Sequence, residues 1–396
     1  MTETNDELLT RGISNIYPSK DYVLSRLNRG EKLTIYLGID PTGPTLHLGN
    51  AIPLKKLGEF QKAGHKIILL MGDFTAMIGD PDKSSARIPL TRTQVLANLK
   101  KYKKQASSLI SFTGKNPAQF KFNSTWLGKM KFADVLSLAS HMTVSQMLER
   151  DMFQGRIKED KPIYIHEFMY PLMQGYDSVA MDVDGEIGGN DQTFNMLMGR
   201  NLMKSLKNKE KFVVTMKLLE DNSGKKMGKT EGNMMALSDT PEEMYGKIMS
   251  WNDSIILPAF ELCTNESMSE IEGMARDMAE GINPRDMKMR LAKDVTTLFY
   301  GEKKAHQAQY RFIETFQKSE IPKDIETISV KTNTLLVDAL LSKKIISSKS
   351  DFRRLVEEHA ITNLDTTEKV SSPTAPAEQG VYRIGKKRFC KITITK

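Results

Sequence analysis

The clearest pattern near the N-terminus is an apolar strand, then an amphipathic helix, then a second strand. Residues 33–39 are mostly apolar, β-branched or aromatic and are bounded by turn residues, which predicts a buried strand. A loop rich in proline and glycine follows, and apolar side chains then recur near helical spacing over 48–63. A second apolar run covers residues 66–71. A strand, a helix and a strand within about 40 residues predict a βαβ unit, and therefore a parallel sheet with a right-handed crossover.

The rest of the chain becomes mainly helical. The pattern predicts helices over 91–109 and 162–181 and a strand over 211–215. From 240 to 316 helix follows helix, with methionine and leucine on the apolar faces. Residues 321–336 are expected to form a linker, and the remainder a small α+β module.

Composition places the chain among ordinary globular proteins. Of its 396 residues, 39% are hydrophobic and 27% charged, which argues against a disordered or low-complexity chain. No apolar run approaches the ~18 residues that a membrane span needs. The acidic, polar residues 1–7 argue against a secretory signal and a mitochondrial presequence. Two cysteines argue against a disulfide framework or a cysteine-based zinc site, and they fit a reducing cytosol.

The net charge of +8 is unevenly distributed along the chain. Residues 331–396 contain 13 Lys/Arg and 7 Asp/Glu, whereas residues 1–330 contain 44 and 42. This distribution predicts a polyanion-binding module attached to a nearly neutral body.

Three short segments, residues 47–50, 80–87 and 226–230, carry side chains suited to binding phosphate. The first opens the predicted helix, where the N–H groups of the first turn and the helix dipole favour an anion. The other two are cationic loops that could stabilise charge on a leaving group. Taken singly, each also has an ordinary explanation, which is a capping histidine for the first and a solvated turn for the others. Their candidate side chains are His47, Asn50, Lys83, Arg87, Lys226, Lys229 and Thr230.

A fourth candidate is the polar face of the predicted helix over 162–181. Tyr170, Gln174 and Asp177 are spaced i, i+4 and i+7, and so share one face of an otherwise apolar helix. Three such groups destabilise the fold unless they meet partners. They predict either a binding pocket or a hydrogen-bonded contact with another element.

The order and spacing of these segments resemble those of a class I aminoacyl-tRNA synthetase, and among that class a bacterial-type tyrosyl-tRNA synthetase. The resemblance covers essentially the whole chain. It rests on Tyr36-Leu-Gly-Ile-Asp40-Pro-Thr42, Gly72-Asp-Phe-Thr75-Ala-Met-Ile-Gly-Asp80-Pro, the helix containing Tyr170, Gly188-Gly-Asn-Asp191-Gln192 and the late lysine loop.

The resemblance implies an α/β protein with three domains. Residues 1–235 would form a Rossmann-like catalytic domain around a parallel sheet, with an inserted helical dimerisation segment at about 120–165. Residues 236–320 would form an α-helical domain at the anticodon region. After the linker at 321–336, residues 337–396 would form an S4-like RNA-binding domain.

The family pattern also implies a tyrosine pocket. Asp177 and Tyr36 would hydrogen-bond the phenol of the substrate. The α-ammonium group would meet Asp80, Tyr170 and Gln174, with Thr75 nearby, and Gln192 would reach the carboxylate. Phenylalanine would leave the buried Asp177 without a partner, at a desolvation cost, so no editing domain is expected.

On the nucleotide side, the resemblance places Gly38, Asp40, Thr42, Gly49, Gly189 and Asp191 along ATP, with Asp191 on the ribose. His47, Lys83, Arg87, Lys226, Lys229 and Thr230 would hold the phosphates while the tyrosine carboxylate attacks the α-phosphate. Magnesium would bridge ATP phosphates rather than occupy a protein cage, and no prosthetic group is expected. The chain departs from the family pattern at two places: Asn50 replaces a histidine, and Gly228 and Thr230 stand where many relatives have serines.

The basic tail completes the predicted set of partners. Arg353, Arg354, Lys386, Lys387 and Arg388 would contact the phosphate backbone of tRNA(Tyr), although a solvated basic hairpin is the alternative. The resemblance implies a cytoplasmic homodimer with no membrane or DNA partner. Three other functions fit parts of the pattern: a tryptophanyl-tRNA synthetase, an RNA-binding paralogue without aminoacylation and a small-molecule adenylyltransferase. The Tyr-Gln-Asp helix argues against the first, the intact pocket against the second and the basic tail against the third.

Overall fold

The computed structural model describes residues 5–81, 89–220, 234–316, 325–332, 334–343, 345–366, 368–385 and 388–395. The chain divides into two compact units, Met1–Phe312 and Ile313–Lys396. No helix within these described ranges is long and apolar enough to cross a membrane.

The first unit is built on a six-stranded sheet. Its strands are β1 Ile13–Tyr17, β2 Thr34–Ile39, β3 Lys66–Met71, β4 Gln119–Phe122, β5 Gly185–Gly189 and β6 Phe212–Met216. Their order is β1-β6-β5-β2-β3-β4, and all neighbours are parallel except β1, which is antiparallel to β6. The chain leaves β2 towards β3 on one side and later adds β5 on the other. Residues around β2 therefore lie at a topological switch point, where parallel sheets bind ligands at the carboxyl ends of their strands.

Helices cover and extend this sheet. They are α1 Asn5–Leu8, α2 Lys20–Asn28, α3 Leu48–Lys62, α4 Thr75–Ile78, α5 Arg92–Leu99, α6 Tyr102–Ala106, α7 Ser124–Leu127, α8 Phe132–Ala139, α9 Val144–Leu148, α10 Asp151–Lys158, α11 Ile165–Met181, α12 Thr193–Lys207, α13 Pro241–Met249, α14 Ile256–Cys263, α15 Met268–Ala279, α16 Pro284–Tyr300 and α17 Glu302–Phe316. The β2–α3–β3 unit confirms the predicted βαβ arrangement. The single helix predicted over 91–109 is wrong, because the chain forms two short helices, α5 and α6, there.

Helices α11 and α12 cross closely because glycines face each other. A Cβ on Gly175 would lie 3.1 Å from the main-chain nitrogen of Gly199 and 2.9 Å from Leu202. A Cβ on Gly199 would lie 2.6 Å from the Lys211 ammonium and 2.7 Å from the Ser178 hydroxyl. Without side chains at these two positions, the polar groups of α11 and β6 can meet under the crossing.

Arg11 ties the N-terminal segment to the end of α14. Its guanidinium donates to the carbonyls of Phe260, Glu261, Thr264 and Glu266, at 3.2, 2.9, 2.8 and 2.5 Å. The last carbonyls of a helix have no partner within the helix, so this one side chain satisfies several of them.

The second unit is a small α+β fold, as the pattern predicts. It contains β7 Glu326–Lys331, α18 Leu336–Ser342, α19 Lys349–Glu357, β8 Ile361–Asn363, β9 Gly380–Ile384 and β10 Arg388–Thr395, with strand order β7-β10-β9-β8. The expected linker over 321–336 is wrong for β7, which pairs in parallel with β10. Ile328 is buried and alternates with polar neighbours, which is the pattern of a strand with one buried face.

Candidate active site

The candidate site lies at the carboxyl ends of β2, β3 and β5. Gly38 in β2 is exposed, whereas Gly72, directly after β3, is buried. A Cβ on Gly72 would lie 1.9 Å from the Asp40 carboxylate and 2.4 Å from the Thr75 hydroxyl. Glycine is therefore required at 72 because the Asp40 carboxylate rests on that backbone.

Asp177 is a buried acceptor on α11. It is 3% exposed, and its carboxylate accepts from Trp126 Nε1 at 2.7 Å and from Asn123 Nδ2 at 3.3 Å. Asn123 is itself fixed, because it accepts from the Phe74 amide at 2.9 Å and donates to Thr75 Oγ1 at 3.0 Å. Burial raises the pKa of Asp177 well above its ordinary range, although the two donors act in the opposite direction.

A second buried group, which we call the inner cluster, consists of Tyr36, Ser178, Glu186 and Lys211. The Tyr36 hydroxyl lies 2.9 Å from Ser178 Oγ, and Lys211 Nζ donates to the same Oγ at 2.8 Å. Lys211 also forms an ion pair with Glu186. Burial raises the pKa of Tyr36 well above its usual value, with further contributions from Glu186 and Asp177, so Tyr36 keeps its proton. Burial also lowers the pKa of Lys211, and Glu186 partly offsets this effect.

Asp40 joins β2 to α11 and α4. Its carboxylate accepts from the Tyr170 hydroxyl at 2.9 Å and from Thr75 Oγ1 at 2.7 Å. Burial and the Asp40 charge raise the pKa of Tyr170 well above its usual value. The prediction that the polar face of this helix meets partners is confirmed for Tyr170 and Asp177. Gln174 lies on the same face, half-buried, one turn after Tyr170.

Asp80 belongs to a neighbouring polar group. Its carboxylate accepts from Gln192 Nε2 at 3.0 Å, from Asn195 Nδ2 at 3.4 Å and from Arg150 at 3.3 Å. The structure thus brings together Asp80 and Gln192, as the sequence suggests, and adds the half-buried Arg150, which balances the Asp80 charge.

The start of α3, one loop after β2, is the second part of the candidate site, and we call it the outer end. Asn50 Oδ1 accepts from the His47 amide at 3.1 Å, and a Cβ on Gly49 would lie 3.1 Å from the His47 ring. The chain following residues 221–233 returns to this point, because the Leu48 amide donates to the Met235 carbonyl at 3.0 Å. An isolated antiparallel bridge joins His47 to Ala236. Met235 and Ala236 therefore lie beside the anion-favouring end of α3.

The remaining residues predicted to contact the nucleotide lie in the loops that follow β2 and β5. The Thr42 amide donates to the Asp40 carbonyl at 2.8 Å within the loop after β2. Asn98 and Tyr102 brace that loop by donating to the carbonyls of Pro41 and Gly43, at 2.8 and 2.7 Å. Gly189 ends β5, and Asp191 is exposed in the turn that follows.

Several predicted residues lie outside the described part of the chain. They are Lys83, Arg87, Lys226, Gly228, Lys229, Thr230, Lys386 and Lys387. In the second unit, Arg353 and Arg354 are exposed on α19. A hydrogen bond from Arg354 at 2.9 Å lowers the pKa of Asp351 to about 2. Arg388 donates to the Ile345 carbonyl at 2.8 Å.

Sequence reasoning missed the groups that hold the predicted residues in place. They are Asn123, Trp126, Arg150, Ser178, Glu186, Asn195 and Lys211. One signal was visible: Lys211 opens an otherwise apolar strand, where a lysine without a buried partner would be costly.

Comparison with known proteins agrees with this geometry. The family model of the tRNA synthetases of class I (W and Y) matches residues 28–317. The chain belongs to this family, as the motifs predict.

Among individual relatives, the chain is similar to tyrosine–tRNA ligases over nearly its whole length. The tyrosine–tRNA ligase of Thermotoga maritima is 42% identical over 395 residues, which cover 99% of this chain and 98% of the relative. That of Photobacterium profundum is also 42% identical, over 98% of this chain and 97% of its own.

Among solved structures, a C-terminally truncated mitochondrial tyrosyl-tRNA synthetase of Aspergillus nidulans has a TM-score of 0.68 at 22% identity, covering 79% of this chain and 94% of its own. The Archaeoglobus fulgidus enzyme complexed with L-tyrosine has a TM-score of 0.62 at 23% identity, covering 77% of this chain and 98% of its own. These structures share the catalytic fold of this chain.

Proposed function

We propose that the chain is a tyrosine–tRNA ligase. It activates tyrosine with ATP to tyrosyl-adenylate and pyrophosphate, and then transfers tyrosine to the 3′-terminal adenosine of tRNA(Tyr). The observation that carries the proposal is the buried Asp177 carboxylate, whose charge acts on Tyr36, in a site at the switch point of the sheet. A buried acceptor of this kind suits a substrate with a phenolic O–H.

The tyrosine side chain would enter between Asp177 and Tyr36. Its α-ammonium group would replace contacts now made within the polar groups of Asp80 and of Asp40 with Tyr170 and Thr75. Gln174 would complete this ammonium site, and Gln192 would face the carboxylate. Positioning and fixed charges would supply most of the rate enhancement, because the reaction needs no covalent bond between substrate and enzyme.

ATP would lie along Gly38, Asp40, Thr42, Gly49 and Gly189, with Asp191 on the ribose. The exposure of Gly38 supports this assignment, because a glycine there leaves room for a flat ring against the strand. His47, Lys83, Arg87, Lys226, Lys229 and Thr230 would stabilise the phosphates, and Asn50 would act through a neutral hydrogen bond. Magnesium enters only as the partner of the ATP phosphates.

The proposal also includes contacts with tRNA and with a second copy of the chain. Arg353, Arg354, Lys386, Lys387 and Arg388 would face the phosphate backbone from an S4-like second unit. Large apolar side chains are exposed on the helical segment over 124–165, including Phe132 at 75% and Ile165 at 82%. Apolar surface of this kind supports a homodimer that buries it. A cytoplasmic location follows from the tRNA substrate, and the two buried free cysteines fit it.

ATP–pyrophosphate exchange tests the activity directly. We expect exchange that depends on tyrosine, with much lower kcat/KM for tryptophan and phenylalanine. Faster exchange with tryptophan would contradict the proposal and would favour the other member of the family. Lys229→Ala should lower the rate of adenylate formation more than it weakens tyrosine binding.

The tRNA contact has its own test. Arg353→Ala should reduce the slope of log affinity for tRNA against log salt by about 1, because one phosphate contact is lost. Exchange without tRNA serves as the internal control and should be unchanged. An unchanged slope would exclude Arg353 from the tRNA surface.

A further inference from the structure

The inner cluster places two opposite charges where stability does not require them. Lys211 and Glu186 are 0% and 2% exposed, and their ion pair lies under the α11–α12 crossing, behind Tyr36. Replacing a buried ion pair by apolar residues is often neutral or stabilising, so such a pair is weak evidence of a role in stability. Only the Ser178 hydroxyl separates Lys211 from the Tyr36 hydroxyl, which suggests a role in substrate recognition.

The donors and acceptors of the cluster can be ordered from chemistry alone. An ammonium group only donates, so Ser178 Oγ must be the acceptor in its 2.8 Å contact with Lys211 Nζ. A hydroxyl whose oxygen accepts from a cation becomes a stronger donor and a weaker acceptor. In the 2.9 Å contact between the hydroxyls, Ser178 therefore donates and Tyr36 accepts.

Because Tyr36 accepts from Ser178 rather than donating to it, the hydroxyl proton of Tyr36 can be donated to another acceptor. Glu186 is the competing acceptor within the cluster, because its buried carboxylate is one of the charges that raise the pKa of Tyr36. The ion pair with Lys211 engages the Glu186 carboxylate and weakens it as a competitor. The Tyr36 O–H can then be donated to the phenolic oxygen of a substrate.

We propose that Lys211, through Ser178 and Glu186, is a positioning residue that directs the Tyr36 proton to the substrate phenol and thereby sets the preference for tyrosine over phenylalanine. This inference rests on the proposed function. This arrangement also requires glycine at 199, because any side chain there would come within 2.7 Å of both the Lys211 ammonium and the Ser178 hydroxyl.

Removing both charges together tests the inference. Lys211→Met combined with Glu186→Gln leaves no unpaired buried charge, so the protein should fold. A hydrogen bond made equally in the ground and transition states affects KM rather than kcat. We therefore expect the KM for tyrosine to rise about tenfold or more in ATP–pyrophosphate exchange. The kcat for tyrosine and the kcat/KM for phenylalanine should stay within threefold.

The chain offers a matched control in a second buried ion pair, Arg156 with Glu167, at 1% and 2% exposure. Arg156→Met combined with Glu167→Gln removes the same two charges near the start of α11, away from Asp177. Its ratio of kcat/KM for tyrosine to that for phenylalanine should equal that of the wild type. An equal loss of this ratio in both double variants would overturn the inference, because the effect would then be general destabilisation.

Ser178→Ala tests the same path without touching either charge. It removes only the hydroxyl between Lys211 and Tyr36, and the ratio for tyrosine over phenylalanine should fall about tenfold. If the wild type discriminates and both Ser178→Ala and the Lys211 double variant keep its ratio within threefold, the inference is overturned while the proposed function stands. If the wild type shows no tyrosine-dependent exchange, the proposed function fails and the inference fails with it.

Discussion

The two parts of the candidate site, the inner end around Asp177 and the outer end at the start of α3, are built in opposite ways. At the inner end, Asp177, Tyr36 and Lys211 are almost fully buried, and they are held by Trp126 of α7, Asn123 just before α7, Ser178 of α11 and Glu186 of β5. At the outer end, Gly38 and Gly49 are exposed, and the start of α3 presents the positive end of the helix dipole. The inner end suits recognition of one small polar group, whereas the outer end suits a large anion.

The difference shows where selectivity resides. A buried polar group without a partner costs about 1–3 kcal/mol, so a substrate that lacks one hydroxyl is rejected at the inner end. An exposed helix terminus accepts any phosphate at little desolvation cost, and its selectivity must come from shape. Four experiments separate these two modes of binding.

The largest expected effect is that of Asp177→Ala. The change leaves Trp126 Nε1 and Asn123 Nδ2 without their acceptor and removes a partner of the phenol. We expect kcat/KM for tyrosine in exchange to fall about 10³-fold, which is about 4 kcal/mol, with much less change for phenylalanine.

Asp73→Ala is the matched control. Asp73 is equally buried and also accepts two hydrogen bonds, from the Ser124 amide at 2.9 Å and its hydroxyl at 2.6 Å. It should cost stability without changing the preference for tyrosine. Similar selectivity loss in both variants would remove Asp177 from the pocket.

His47→Ala should act on the chemical step. The ring lies at the start of α3, where an α-phosphate would be stabilised as charge develops. We expect kcat for adenylate formation to fall about 10–100-fold, or roughly 1.4–2.7 kcal/mol, while the tyrosine KM stays within twofold. Single-turnover measurement of adenylate would reveal this split, and a parallel rise in the tyrosine KM would contradict it.

Gly72→Ala should affect stability and the site together. Its Cβ would overlap the Asp40 carboxylate and force that group away from Tyr170 and Thr75. We expect a loss of about 1–3 kcal/mol in the free energy of unfolding, measured in urea. Gly38→Ala is the control for stability, because the nearest atom to a Cβ there is 3.9 Å away, and it should cost less than 1 kcal/mol.

The smallest effect is the pH dependence contributed by Asp177. Burial raises its pKa in the folded state above the value of about 3.9 found in unfolded chains, so the folded protein binds this proton more tightly. Stability from this group is therefore complete below about pH 4 and is lost as pH rises through the raised pKa.

The wild type should accordingly lose stability relative to Asp177→Ala as pH increases, by at most about 1.4 kcal/mol per pH unit. Urea unfolding of both proteins between pH 4 and pH 8 measures this difference. A difference that is constant, or that grows in favour of the wild type with pH, would disprove the burial of an ionisable group at 177.

The sequence predicted local elements better than it predicted contacts between them. The apolar runs over 33–39 and 66–71 became β2 and β3 because both are buried on two faces in a parallel sheet. The polar face of α11 was visible from spacing alone, because its residues lie on one helix.

The inner cluster could not be predicted in the same way. Tyr36, Ser178 and Glu186 come from three different elements and Lys211 directly precedes a fourth, so no spacing relates them. The linker predicted over 321–336 failed for a related reason, because pairing with β10 made residues 326–331 a strand.

The contact of Arg11 with the end of α14 has a consequence for biosynthesis. The acceptors of this guanidinium are about 250 positions further along the chain. Strand β6, the partner of β1, is likewise about 200 positions further along. At roughly 5–20 residues per second, the ribosome needs roughly 12–50 seconds to make that stretch. The N-terminal segment therefore emerges first and docks late. A product that terminates before residue 260 leaves Arg11 without these acceptors even where β1 already pairs with β6, so the Arg11 contact marks a nascent chain in which α14 has been made.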